Sequence, residues 1–165
     1  MGMAAQIQLK PRLGGDIGDF RRMHGGNAAA RARFQQSVTI CLVNLDLNNF
    51  RDINDRHGHA AGDATLMHVA KTLMENLRES DMLGRLGGDE FGVILSHTDA
   101  DRALEKGRQL AQAIQNTAVQ YEDVRLTVSA SYGITTFKKG ESAQDAMDAA
   151  DRAMYAHKNA QKAGK

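Results

Sequence analysis

Strong hydrophobic patterning begins at Val38. From there to Leu45 the chain is a β-branched apolar run, Val38-Thr39-Ile40-Cys41-Leu42-Val43 and onward, which predicts a buried strand. A polar stretch follows, Asn48 to Gly58, and then Leu66, Val69, Leu73 and Leu77 recur at helical spacing, widened by Ala70 and Met74. Leu83-Gly84-Arg85-Leu86 and Phe91-Gly92-Val93-Ile94-Leu95 flank Gly87-Gly88-Asp89-Glu90; two short apolar runs around a glycine pair predict a hairpin. A helix after Asp99 would turn Ala103, Gly107, Leu110 and Ile114 inward, and a strand is expected from Leu126 to Ile134. The last helix should start after Ser142, with Ala146, Ala150, and Ala153 or Met154 buried and His157 at the edge of the stripe. Met67, Met74, Met147 and Met154 fall on these faces and read as core filler. Residues 1–36 are rich in Gly, Ala and Arg, and Gly14-Gly15 and Gly25-Gly26 interrupt any long helix. They form a lead-in, with one helix expected near 28–36, to a domain over 37–165.

The order strand, helix, hairpin, helix, strand, helix argues for an α/β chain of the α+β kind, with a mixed, mainly antiparallel central sheet flanked by helices. At 165 residues such a domain buries a substantial core without disulfides or structural metal. The net charge of +1 gives no whole-domain reason to expect nucleic acid or an anionic membrane as partner. Cys41, the only cysteine, sits inside the first apolar run and reads as a small core residue. No run approaches the roughly 18 apolar residues of a membrane span, and the N-terminus lacks a charged-then-apolar secretory pattern. A cytoplasmic chain without a membrane segment is the expectation.

Candidate chemistry gathers at two places. Asp46 closes the first strand and Asp89 sits at the hairpin tip, so if the strands are neighbours two carboxylates converge where a loop opens. Left alone they repel, and one tends to keep its proton. A pair of Mg²⁺ ions removes the conflict, because Mg²⁺ favours a few carboxylates together with phosphate oxygens, and such a clamp suits in-line displacement at phosphorus. Gly87 and Gly88 let backbone come close to a nucleotide that a Cβ would push away.

Between Asp46 and Asp63 the chain reads Asp-Leu-Asn-Asn-Phe-Arg-Asp-Ile-Asn-Asp-Arg-His-Gly-His-Ala-Ala-Gly-Asp. Together with Gly87-Gly88-Asp89-Glu90-Phe91, this stretch resembles the GGDEF family of diguanylate cyclase domains, and the resemblance covers about residues 38–162. It implies a sheet fold similar to class III nucleotidyl cyclases and polymerase palm domains, and condensation of two GTP into cyclic di-GMP by a homodimer in which each subunit supplies half the site. By the same resemblance Asp46, the Leu47 carbonyl and Asp89 are ligands to Mg²⁺, or Mn²⁺ in its place, two ions per half-site. Glu90 matches a position needed for catalysis, with activation of the 3′-hydroxyl as its candidate task. Asn54 and Asp63 align with the residues that read guanine, an amide and a carboxylate suited to its edge groups; family members that accept ATP carry serine at the latter position. Each also has a structural reading, Asn54 as a turn former and Asp63 as a helix N-cap. The loop amides of Asn48, Asn49 and Phe50 would face the phosphates.

In Asp151-Arg152-Ala153-Met154-Tyr155-Ala156-His157-Lys158 the chain matches the family's last helix, whose lysine, here Lys158, holds the β- and γ-phosphates. Lys162 stands where an arginine is usual; it keeps the charge and loses the bidentate fork, and a solvated basic helix end is the alternative reading. Asn48 and Arg51 replace a usual Asp and Lys, and Leu9-Lys10-Pro11-Arg12 is all that corresponds to the family's opening turn. Arg78-Glu79-Ser80-Asp81, with five residues between Asp81 and Gly87, matches the family's inhibitory product site, and Arg85 aligns with a further arginine that contacts the same ligand in some members. Cyclic di-GMP is thus expected as allosteric ligand as well as product. His57, His59, His68 and His157 do not form a zinc constellation. The rival readings are a silent cyclic di-GMP receptor, which would have no need of Asp89 and Glu90, and a different nucleotidyl cyclase on the same fold, which Asn54 and Asp63 disfavour.

Overall fold

The computed structural model describes residues 39–138 and 141–163. The lead-in, with the helix expected near 28–36, lies outside the described residues. Four strands form the main sheet: β1 (Ile40–Asn48), β2 (Met82–Gly87), β3 (Glu90–Ser96) and β6 (Ser129–Thr136), in the order β2-β3-β1-β6. A small hairpin, β4 (Ala118–Tyr121) with β5 (Val124–Thr127), stands beside it. The helices are α1 (Phe50–His57), α2 (His59–Glu75), α3 (Ala100–Asn116) and α4 (Ala143–Ala163). The expected helix-flanked sheet is present, and every described pairing in it is antiparallel.

β1 is central and covered on both faces, so it reads as a near-continuous apolar run with Cys41, Val43, Leu45 and Leu47 buried. The main cluster joins these to Leu66, Val69 and Leu73 of α2, Phe91, Val93 and Leu95 of β3, and Leu110 and Ile114 of α3. Each such fully buried side chain contributes roughly 1.5–3 kcal/mol. The inward residues of α3 are the expected Ala103, Gly107, Leu110 and Ile114, and Asp99 caps it by accepting from the Arg102 amide. α4 starts on a reciprocal cap, in which the Ser142 hydroxyl oxygen accepts from the Asp145 amide at 3.1 Å and Asp145 accepts from the Ser142 hydroxyl at 2.6 Å. Its inner stripe is Ala146, Ala150 and Met154. Gly133 of β6 lets it come close: a Cβ there would stand 2.2 Å from the Met154 nitrogen and 2.3 Å from the Ala150 oxygen.

Several expectations are corrected. The polar stretch Asn48 to Gly58 contains a helix, α1, because Phe50, Ile53 and Asn54 recur at one-turn spacing and only they turn inward. The strand expected from Leu126 to Ile134 is two strands, divided at Val128, since β5 pairs with β4 and β6 pairs with β1. β4 was hidden by its four-residue length. Asp46 does not close β1, which continues to Asn48. Met67 and Met74 are 53% and 47% exposed, so they are not core filler; α2 fills its inner face with Leu66, Val69, Ala70 and Leu73 and needs no wider stripe. Among the described residues, no helix is long and apolar enough to cross a membrane.

Candidate active site

Antiparallel register brings the carboxylates together. Asp46 on β1 stands directly opposite Glu90 on β3 on one side and Ser131 on β6 on the other, and directly opposed residues share a face with Cβ atoms about 5 Å apart. The Leu47 amide donates to the Asp89 carbonyl at 3.1 Å, tying the hairpin tip to the end of β1. Asp89 follows Gly88, whose φ of 47° is the left-handed conformation that the turn requires. A Cβ on Gly87 or Gly88 would meet nothing within 4 Å, so packing within the chain does not require either glycine.

Glu90 feels this crowding. Its carboxyl is pushed above the ordinary carboxylate range by burial first, then by the charges of Asp151, Asp46 and Asp89, with Lys158 opposing. Lys158, on α4, reaches across to Asp46 at 2.5 Å, the two side chains being 30% and 12% exposed. A cation is therefore already drawn to the carboxylate that the sequence reading assigns to metal. Two carboxylates and a backbone carbonyl are hard oxygen donors, and they fit Mg²⁺ or Mn²⁺, which complete their shell with waters and phosphate oxygens. Among the described residues, no three His, Cys, Asp or Glu side chains converge closely enough to hold a metal ion by themselves.

The loop after β1 turns sharply at Asn49, which has φ 59° and precedes α1 without a side-chain capping bond. Asn48 is clamped to β6: its amide nitrogen donates to Ser129 Oγ at 3.1 Å, and its oxygen accepts from Ser131 Oγ at 2.9 Å. Phe50 anchors the far side by packing on the main core. Asn54 lies between α1 and α2, over Gly62. Asp63 is the fifth residue of α2, whose N-cap is Gly58, so the capping reading of Asp63 is excluded; both residues are half-buried.

The remaining candidates separate. Arg78 and Asp81 close a turn between α2 and β2, in which the Arg78 amide donates to Asp81 Oδ2 at 3.0 Å. They line a cavity of about 380 Å³ together with His97, Arg102 and Lys106. Arg85 is not in that cavity; its guanidinium donates to the Gly88 carbonyl at 2.9 and 2.6 Å and braces the hairpin tip. Lys162 belongs to α4, but its side chain lies outside the described residues. Sequence reading gave no role to Asn44, Asp151, Ser129 or Ser131, the polar residues that support the site from β1, β6 and α4. For Asn44 the signal was present as alternation: Asn44, Asp46 and Asn48 interleave with Val43, Leu45 and Leu47.

Comparison with known proteins bears on this geometry. Residues 24–164 match the family described as diguanylate cyclase, GGDEF domain. Diguanylate cyclase A of Treponema denticola is 32% identical over 125 residues, covering 75% of this chain and 34% of the relative. The probable diguanylate cyclase DgcE of Escherichia coli is 40% identical over 144 residues, covering 79% of this chain and 13% of the relative. The chain thus spans about a third of the length of the first of these curated relatives and about an eighth of the second. Among solved structures, the diguanylate cyclase SiaD of Pseudomonas aeruginosa, in complex with its activator SiaC, superposes with a TM-score of 0.75 at 30% identity, over 86% of this chain and 53% of that one. The GGDEF domain of DgcB from Caulobacter crescentus in complex with c-di-GMP gives 0.74 at 27% identity, over 80% and 79%. The family match over most of its length, on a sheet that sets Asp46, Asp89 and Glu90 at one end, makes this chain a member of the GGDEF-domain diguanylate cyclase family.

Proposed function

We propose that the chain condenses two GTP into cyclic di-GMP with release of two pyrophosphates, as a homodimer in which each subunit holds one GTP. The observation that carries this reading is the juxtaposition of Asp46 with Glu90 across β1 and β3, with Asp89 tied to the same end and Lys158 reaching in from α4. Asn54 and Asp63 take the guanine edge, and the amides of Asn48, Asn49 and Phe50 cradle the phosphates. Lys158, with Lys162 one turn on, grips the β- and γ-phosphates. Asp46, the Leu47 carbonyl and Asp89 would hold Mg²⁺ or Mn²⁺, two per half-site, which when bound supplies charge stabilisation to the attacking and departing oxygens. Glu90 accepts the proton of the 3′-hydroxyl as its oxygen bonds to the α-phosphorus of the GTP on the facing subunit and pyrophosphate leaves. A carboxyl raised above its ordinary range is the better base for that task near neutral pH.

The cavity at Arg78 and Asp81 supports product inhibition, since an arginine fork and an acid suit the phosphates and guanine edges of cyclic di-GMP. Arg85, held at the hairpin tip, would join that ligand only by leaving Gly88. GTP as substrate agrees with a cytoplasmic address. Asp89→Ala and Glu90→Ala test the chemistry: both should abolish cyclic di-GMP synthesis while leaving the circular-dichroism spectrum unchanged, because half-buried carboxylates at the hairpin contribute little packing. Normal turnover by either variant would overturn the reading.

A further inference from the structure

Asn44 stands two residues before Asp46 on β1 and therefore shares its face. It is 2% exposed. Its amide nitrogen donates to the Asp151 carboxylate on α4, while its oxygen is buried with no partner among the described residues. An aliphatic side chain would fill this place without burying an unpaired carbonyl, so packing alone does not account for an amide here.

Asp151 and Lys158 are seven residues apart on α4, two turns and so one face, with a rise of about 10 Å between them. Asn44 and Asp46 are separated by about 6.6 Å along β1. The contacts Asn44–Asp151 and Asp46–Lys158 are therefore two rungs between one strand and one helix, with the long lysine stem taking up the difference in length. Beside the first rung the helix backbone lies on Gly133, the residue opposite Asn44 in register. A one-residue slip of α4 would swing both side chains by about 100°. The small apolar contacts of Ala146 and Ala150 are non-directional and resist such a slip less sharply than a hydrogen bond does.

We propose that Asn44 and Asp151 are positioning residues, a polar latch that sets the register of α4 on β1 and so delivers Lys158 to the catalytic end of the sheet. The inference rests on the phosphate role given to Lys158 above. It is tested by binding of the α,β-methylene analogue of GTP with Mg²⁺, measured by calorimetry on the full chain, alongside KM and kcat for GTP. Asn44→Asp keeps the shape and sets two acids against each other; it should weaken analogue binding and raise KM roughly fivefold to tenfold, with kcat within about twofold. Asn44→Asp combined with Asp151→Asn reverses donor and acceptor and should restore binding to within about twofold of wild type. Asp151→Ala, at an exposed helix position where alanine favours the helix, should weaken binding as Asn44→Asp does, and it decides alone if Asn44→Asp does not fold. Lys158→Ala is the control. Wild-type binding by Lys158→Ala overturns the phosphate role and the latch with it. Weak binding by Lys158→Ala with wild-type binding by Asn44→Asp or Asp151→Ala overturns the latch alone, as does a reversed pair that binds no better than Asn44→Asp.

Discussion

The side-chain oxygen of Asn54 lies 1.9 Å from where a Cβ on Gly62 would stand. α1 and α2 are thus fitted so that the α2 backbone at Gly62 is the floor beneath the amide proposed to read guanine. Gly62→Ala should push Asn54 off that floor. The helix itself tolerates alanine, so the expected result is a rise in KM for GTP of about tenfold or more with a small change in melting temperature. An unchanged KM would remove Asn54 from base recognition.

Glu90 gives a pH signature. Its folded-state pKa is raised by burial and by neighbouring acids, so the cost of holding it ionised is absent below the ordinary carboxyl range and fully present above the raised value. Stability from this group is therefore lost as pH rises through that window. In EDTA, Glu90→Gln should melt above wild type at about pH 8 and lose the advantage by about pH 4. A gap that is the same at both pH values would show that Glu90 is not strained by its neighbours.

Assembly is tested by dilution. With one GTP on each subunit, the bond forms only between two subunits, so specific activity should rise with protein concentration and level off as dimer saturates. A rate strictly proportional to enzyme, down to concentrations where only monomer is detected, would contradict the half-site account.

Product control is tested at Arg78, whose cavity on the α2–β2 corner is lined by none of the carboxylates or loop residues of the catalytic end. Arg78→Ala should raise the cyclic di-GMP concentration needed for inhibition by at least about tenfold, the loss of roughly 1.4 kcal/mol. Initial rates, read before product accumulates, should stay near wild type, as coupling between separate sites requires. Coincident inhibition curves for Arg78→Ala and wild type would reduce the Arg78–Asp81 pair to a turn.

What was legible in the sequence follows from how local each signal is. The α3 stripe, the Ser142 start of α4 and the Gly87-Gly88 hairpin were readable because each is carried by residues within a few positions of one another. α1 escaped because eight residues with no fully buried side chain leave only a faint period, and the division at Val128 escaped because a change of sheet alters partners and not hydrophobicity. At the candidate site, Asp46 and Asp89 stand out because each lies inside a contiguous motif, whereas Asn44 and Asp151 were not given roles. Their contact spans 107 positions and exists only once α4 lies on Gly133. Met67 and Met74 show the opposite error, a helical spacing that continues past the width of the face actually covered.

The most direct test of the central claim is product identification. Purified chain is incubated with Mg²⁺ and each of the four ribonucleoside triphosphates separately, at the highest soluble protein concentration, and products are separated by chromatography and mass spectrometry. GTP alone should yield cyclic di-GMP, with two pyrophosphates for each product formed, and Asp89→Ala should yield none. Absence of cyclic di-GMP from wild-type protein that binds the α,β-methylene analogue of GTP, or equal conversion of another nucleotide, would contradict it.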